Sequence, residues 1–267
     1  MSDVTALFTA LDVKALREAT GAGMMDCKRA LTQSSGDQQA AAQWLREKGI
    51  AKAAARAERA SDEGAVALVA NEQAAAIVEL RCETDFSAKA DDFVALANEL
   101  AQLALSEGEE ALSSQAEAIQ DISLAKKENV HLGKVVRVQV ADGNFLDTYL
   151  HTQDGRGISA VVVEARGISQ ELAHEVALHI AFAKPSVLHR DQVDLDEVER
   201  EKIALTELTK AEGKPEQAWD KIVAGRLRAW YGERVLLEQG MFGEKETVQS
   251  KLGDGEIVRY ELAAIGG

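Results

Sequence analysis

The strongest constraint on this chain is that its apolar residues switch repeatedly between two periods. Up to Ala60 they recur at helical spacing. After Ser61-Asp62-Glu63-Gly64 they alternate, as strands with one covered face require. Val66, Leu68 and Ala70 alternate with their neighbours, and Asn71-Glu72-Gln73 supplies a turn. Ala76, Val78, Leu80 and Cys82 then alternate again. This pattern predicts a β-hairpin whose second strand runs into Glu83-Thr84-Asp85-Phe86. Helical spacing returns with Phe93, Leu96, Leu100 and Leu103, and another helix is expected within Ser113–Lys127. A second strand cluster is expected over Lys134–Val140, Phe145–His151 and Ile158–Val163. A helix capped by Ser169 follows it, with Leu172, Val176 and Ile180 inward. Strands then helix, twice over, predict an α+β class with a weak internal duplication.

The flanking segments are helical. Before the first strand, Asp12 is expected to cap a helix that ends at Thr20-Gly21-Ala22-Gly23. A second helix carries Met24, Cys27, Ala30 and Leu31. A third, capped by Asp37 and closed by Gly49, turns Ala40, Ala41, Trp44 and Leu45 inward. Three helices this short make a thin core of the kind used for docking. Residues 51–60 read as a solvated connector helix. After the second unit, Val193–Ala211 and Trp219–Trp230 are amphipathic and joined at Gly213-Lys214-Pro215, which predicts an antiparallel helical hairpin. Alternation over 257–262 adds a final strand to the second sheet. The expected organisation is a three-helix module with connector at 1–57, a first core subdomain at 58–132 and a second at 133–267. The hairpin occupies about 190–232 of that last subdomain.

Composition narrows the function. The 267 residues carry 45 acids against 30 bases, a formal charge of −15, so no concentrated basic face is available for nucleic acid. Aromatic residues make up 4%, too few for a base-stacking platform. The sequence contains no apolar run long enough for a membrane span and shows no secretory signal pattern, which predicts a cytoplasmic protein. Cys27 and Cys82 lack metal-motif spacing and fit a reducing compartment.

Motifs for catalysis are equally scarce. His174 and His179 stand five apart, about 140° around a helix, whereas a shared zinc needs four. Gly133-Lys134 and Gly213-Lys214 lack the rest of a phosphate loop, and Gly21-Ala22-Gly23 follows a helix where a dinucleotide fingerprint follows a strand. Asp191, Asp194 and Asp196 lack the glycine and terminal glutamate of a calcium loop and suit a helix start. No enzyme activity, cofactor or metal is expected. Hydrolysis through Cys82 or the histidine pair remains the weakest alternative. The sharpest segment is Thr84-Asp85-Phe86-Ser87-Ala88-Lys89. Either Thr84 or Asp85 caps a helix with Phe86 packed as a staple, or Phe86 is exposed as a wedge for a partner. The second unit has Ala165-Arg166-Gly167-Ile168-Ser169 at the corresponding place, so the Asp-Phe pair belongs to one copy only.

Two stretches carry a family resemblance. Leu16-Arg17-Glu18-Ala19-Thr20-Gly21-Ala22-Gly23-Met24-Met25-Asp26-Cys27-Lys28-Arg29-Ala30-Leu31 resembles the N-terminal signature of bacterial elongation factors Ts. Glu79-Leu80-Arg81-Cys82-Glu83-Thr84-Asp85-Phe86-Ser87-Ala88-Lys89 resembles their second signature. The likeness continues through His179-Ile180-Ala181 to Lys184-Pro185 and from Gly213-Lys214-Pro215 to Gly225-Arg226. Arg81 stands where the family usually has Asn and Ser87 where it usually has Val, and the region after Met241 is short. The resemblance implies a UBA-like N-terminal module, a core of two small α+β subdomains with antiparallel sheets, and an inserted helical hairpin. It implies a guanine-nucleotide exchange factor for the GTPase elongation factor Tu, with a dimer or a heterotetramer with the GTPase both open. By resemblance, Arg17, Met24, Met25, Asp85 and Phe86 contact the nucleotide domain of that GTPase. His151 does so by a looser match, since the loop Thr152–Gly157 is longer here. The competing expectation is an adaptor or chaperone-like binder without exchange activity.

Overall fold

The computed structural model describes residues 8–20, 22–54, 56 and 58–266. Gly21 of the expected helix-ending turn, and Ala55 and Ala57 of the connector, lie outside the described residues. In chain order the elements are α1 (Ala10–Thr20), α2 (Met24–Gln33), α3 (Gln38–Ala54), β1 (Glu63–Ala70) and β2 (Ala74–Cys82). Then come α4 (Asp85–Ala88), α5 (Asp91–Glu107), α6 (Ala116–Lys126), β3 (His131–Gln139), β4 (Phe145–Gln153) and β5 (Arg156–Arg166). The last are α7 (Gln170–Ala183), α8 (Leu195–Ala211), α9 (Trp219–Arg234), α10 (Val248–Leu252) and β6 (Glu256–Ala264). The fold is α+β, with three helices at the N-terminus and, among the described residues, two antiparallel three-stranded sheets ordered β1-β2-β3 and β4-β5-β6.

One assignment from periodicity is corrected. Lys134–Val140 was expected to open the second strand cluster; β3 instead joins the first hairpin, against β2. Alternation fixes which face of a strand is covered but not which neighbour it pairs with. The choice is made locally. Gly133 lies so close to β2 that an added Cβ would sit 2.4 Å from the Glu79 carboxylate. That carboxylate also accepts the Lys134 N–H at 3.1 Å. The expected final strand is present as β6 beside β5, pairing Val163 with Tyr260 and Val161 with Leu262.

The chain divides into two compact units. One holds the chain up to Ala65, Val78–Val135 and the residues from Ile265; the other holds Val66–Ile77 and Val136–Ala264. In the first, α1, α2 and α3 close over Val13, Leu16, Cys27, Ala30, Leu31 and Ala41. Thr9 rather than Asp12 caps α1. The Thr9 N–H donates to the Asp12 carboxylate at 2.7 Å, and the Asp12 N–H donates to the Thr9 hydroxyl at 3.3 Å. This is a reciprocal capping pair. Helix α3 does not stop at Gly49 but continues to Ala54. Gly49 is kept small by its neighbour, since a Cβ there would lie 2.9 Å from the Leu124 side chain of α6. Arg46 of α3 pairs with Glu117 and, at 3.6 Å, with Asp121 of the same helix α6.

In the second unit, α7 covers the β4-β5-β6 sheet. The core is built from Val161, Val163, Val176, Ala177, Ile180, Leu236, Met241 and Ile257. Buried Glu164 accepts from the Ala141 N–H (2.9 Å), the Asn144 amide (2.7 Å) and Arg259 Nε (2.7 Å). Helices α8 and α9 run antiparallel, with Arg226 on Glu212 at 2.7 Å near the turn and Arg234 on Glu197 at 3.6 Å near the base. Val193, Trp230, Tyr231 and Val235 fill that base.

His179 is one of the few buried titratable groups. Its Nδ1 accepts the Phe242 N–H at 3.1 Å, which leaves the ring proton on Nε2 facing the Gln239 carbonyl at 3.0 Å. Burial lowers its affinity for a second proton, and the Gln239 contact only partly offsets this, so its pKa falls below 6.5. The unfolded chain therefore binds more protons just below that value, and stability falls as pH drops through the window. Thermal melting from about pH 7 to about pH 5 is expected to show a decline that flattens in His179→Gln. Equal slopes in the two proteins would contradict this account.

Candidate functional site

The segment Thr84–Lys89 forms the turn from β2 into α4. The Thr84 hydroxyl accepts the Ser87 N–H at 3.4 Å, as an N-cap does. The capping expectation and the exposed-Phe expectation therefore both hold. Phe86 is not a staple: it is 85% exposed, whereas Ser87 and Ala88 on the same short helix are buried. Ala88 and Ser87 anchor the turn inward, and the period of α4 leaves Phe86 outward. Asp85 and Lys89, four residues apart, are paired at 2.8 Å. The pair is partly exposed and worth a few tenths of a kcal/mol, about that of an i,i+4 pair.

A residue that the sequence did not single out holds this turn in place. Glu128, just beyond α6, accepts four hydrogen bonds from it. One carboxylate oxygen takes the Glu83 N–H and the Thr84 N–H, each at 3.0 Å. The other takes the Thr84 and Ser87 hydroxyls, each at 2.6 Å. Burial works against ionisation of Glu128, but these donors outweigh it and bring its pKa below the ordinary 4.5. Ser123 fixes the same residue from behind by donating to its carbonyl at 2.6 Å. Next to it, the Asn129 N–H donates to Glu83 at 2.7 Å, and the Asn129 amide donates to the Arg59 carbonyl at 2.9 Å. Nothing in the polar run Lys126-Lys127-Glu128-Asn129 marks Glu128 by period or motif. Only the four unsatisfied donors of the preceding strand-to-helix turn could have signalled a need for it.

The N-terminal residues singled out by resemblance lie in the same compact unit. Arg17 is exposed on α1. Met24 and Met25 open α2 and are 59% and 68% exposed. The helix buries Cys27, Ala30 and Leu31, so its first turn projects both methionines past the edge of the small core. In the second unit, exposed His151 lies on β4, where the register with β5 shifts between His151 and Thr152. Its Nδ1 is 3.2 Å from the Tyr149 hydroxyl, and the two rings stack at 6.3 Å.

The remaining chemistry is structural. His174 of α7 reaches Asp147 of β4 at 3.0 Å, while His179 is buried against Gln239 and Phe242, so the two do not share a site. Both cysteines are buried and unpaired by disulfide, and the Cys82 thiol lies 3.2 Å from the Thr84 carbonyl. Among the described residues no group of three His, Cys, Asp or Glu could hold a metal, and no helix is long and apolar enough to cross a membrane. What the first unit offers is apolar projection: Phe86 on a fixed turn, and Met24 and Met25 on a helix end.

Comparison with known proteins accounts for most of the chain. The family model for elongation factor TS matches residues 83–265. Elongation factor Ts of Rhodospirillum rubrum is 39% identical, the match covering 94% of this chain and 86% of that protein. Elongation factor Ts of Deinococcus deserti is 39% identical over 95% of this chain and 98% of its own. That of Mycobacterium ulcerans is 40% identical over 96% and 98%. With the α+β core, the Thr84-capped turn and matches of this extent, the chain belongs to the elongation factor Ts family.

Proposed function

We propose that this chain is a translation factor of the cytoplasm that binds the GDP-loaded GTPase elongation factor Tu and speeds GDP release, without catalysing a reaction itself. The observation that carries the reading is Phe86. It is the most exposed of the large apolar side chains among the described residues, 85% accessible, on a turn fixed from behind. Arg17, Met24, Met25 and His151 supply further contact to the nucleotide domain. The segments 1–57, 58–132 and 133–267 serve as docking module and two core subdomains. No cofactor, nucleic acid or membrane takes part.

The mechanism needs no acid or base on this chain. A GTPase holds GDP through backbone amides around the phosphates and through Mg²⁺. Phe86, wedged between helices of the partner, displaces the elements that carry those groups. Burying one Phe is worth about 1.5–3 kcal/mol, roughly a ten- to hundredfold change in an equilibrium. Asp85 and Lys89 flank the wedge and orient it, and the exposed methionines adapt their shape to the partner surface.

Three outcomes test this. Substoichiometric amounts of the protein are expected to accelerate release of fluorescent GDP from the GTPase, and an unchanged release rate would end the reading. A stable complex that leaves the GDP off-rate unchanged would support the adaptor reading instead. Phe86→Ala is expected to cut the acceleration by roughly ten- to hundredfold. Its melting temperature should stay within a few degrees of the parent's, because the ring contributes little to the core. Met24→Ser combined with Met25→Ser is expected to raise the factor concentration needed for half-maximal release by about tenfold, leaving the rate at saturation unchanged. A fall in the saturating rate alone would assign the methionines a different role.

A further inference from the structure

We infer that Glu128 is a positioning residue for exchange: its partly buried carboxylate sets the direction in which the Asp85-Phe86 turn is presented, and it acts through Phe86 alone. The inference rests on the exchange reading above and adds to it a residue that touches neither nucleotide nor partner.

The geometry is that of a clamp rather than a single cap. Thr84 alone could satisfy one donor of the turn, through the 3.4 Å contact to the Ser87 N–H. Glu128 takes four more donors, two from backbone N–H groups ahead of α4 and two from hydroxyls inside the turn. These four bonds join the end of β2, the cap and the second residue after the cap's Asp to a single side chain from a different segment. Asp85 and Phe86 lie between the two hydroxyl anchors, and the Phe86 ring itself is exposed. Its direction therefore follows from where Thr84 and Ser87 are held.

Ser87 adds a side-chain donor to the clamp. Here the Ser87 hydroxyl lies 2.6 Å from Glu128, and the residue is buried. The clamp is also tied to the element that carries the N-terminal helices. Glu128 follows the C-terminus of α6 and is tied back to it by Ser123, and α6 meets α3 through Arg46, Glu117 and Asp121. The part of the molecule that presents Met24 and Met25 and the turn that presents Phe86 thus share one supporting helix.

A double-mutant cycle on GDP release separates positioning from general support. Glu128→Ala is expected to lower the saturating release rate by roughly tenfold in the parent background. In a Phe86→Ala background the same change is expected to cost less than about twofold, because no ring remains to be positioned. Glu128→Gln, which keeps one oxygen acceptor while the hydroxyls can turn to accept from its amide, is expected to recover most of the loss. Two results would overturn the inference: a folded Glu128→Ala that releases GDP at the parent rate, or a loss that multiplies in full on Phe86→Ala. If the parent chain itself leaves GDP release unchanged, the exchange reading fails separately. The clamp is then read by amide hydrogen exchange in the free protein, where Glu128→Ala must expose the Glu83 and Thr84 amides. Unchanged protection at both would refute it.

Discussion

The carboxylate of Glu128 and its four donors are what the candidate site depends on. An exposed aromatic ring gains nothing from burial in its own protein, so only its backbone can keep it in place. That backbone sits at a strand-to-helix turn, where N–H groups lack partners in either element. A partly buried charge is costly there without hydrogen bonds, and unpaired amides are costly without an acceptor. Each removes the other's penalty. The turn is thereby preorganised, and on the proposed reading, in which Phe86 enters a partner's surface, this reduces the entropy lost on binding.

The second unit uses a buried carboxylate in the same way for a different end. Glu164 gathers the Ala141 N–H, the Asn144 amide and Arg259, tying the turn before β4 to β6. Desolvation opposes its ionisation too, and hydrogen bonds from Asn144, Ala141 and Arg259 bring the pKa below 4.5. There the turn after β5 carries Gly167 and Ser169 and presents no exposed aromatic ring. Both units thus use a carboxylate to gather donors from separate segments, Glu128 at the turn that carries Phe86 and Glu164 at the turn before β4.

Period and capping chemistry made most of the elements legible in the sequence. Ser169 and Asp37 each cap the helix expected of them, with contacts of 3.2 and 2.9 Å to backbone N–H groups. The hairpin around Gly213-Lys214-Pro215 was visible because two amphipathic runs flank a helix stop. Strand partnership was not visible. Lys134–Val140 reads the same whichever sheet it joins, and the choice falls to Gly133 and Glu79, far apart in sequence. Single residues were misread where one local signal stood for two. Asp12 is the acid of a capping pair whose cap is Thr9, and Gly49 continues a helix because Leu124 needs the space. Helical period puts Met24 with Cys27, Ala30 and Leu31, whereas the structure buries only the last three and leaves Met24 and Met25 both exposed at the first turn of α2. Glu128 was not legible at all, because its role is defined by donors 41 to 45 positions away.

The central claim is that this protein and GDP compete through the partner's structure rather than for the same atoms. Such competition is reciprocal: the factor by which this protein weakens GDP binding must equal the factor by which GDP weakens binding of this protein. The most direct measurement titrates the protein against the GTPase without nucleotide and again with saturating GDP, and pairs this with GDP affinity measured with and without the protein. The account predicts two equal ratios well above one, both collapsing toward one with Phe86→Ala. An affinity for the GTPase that GDP does not change would contradict it.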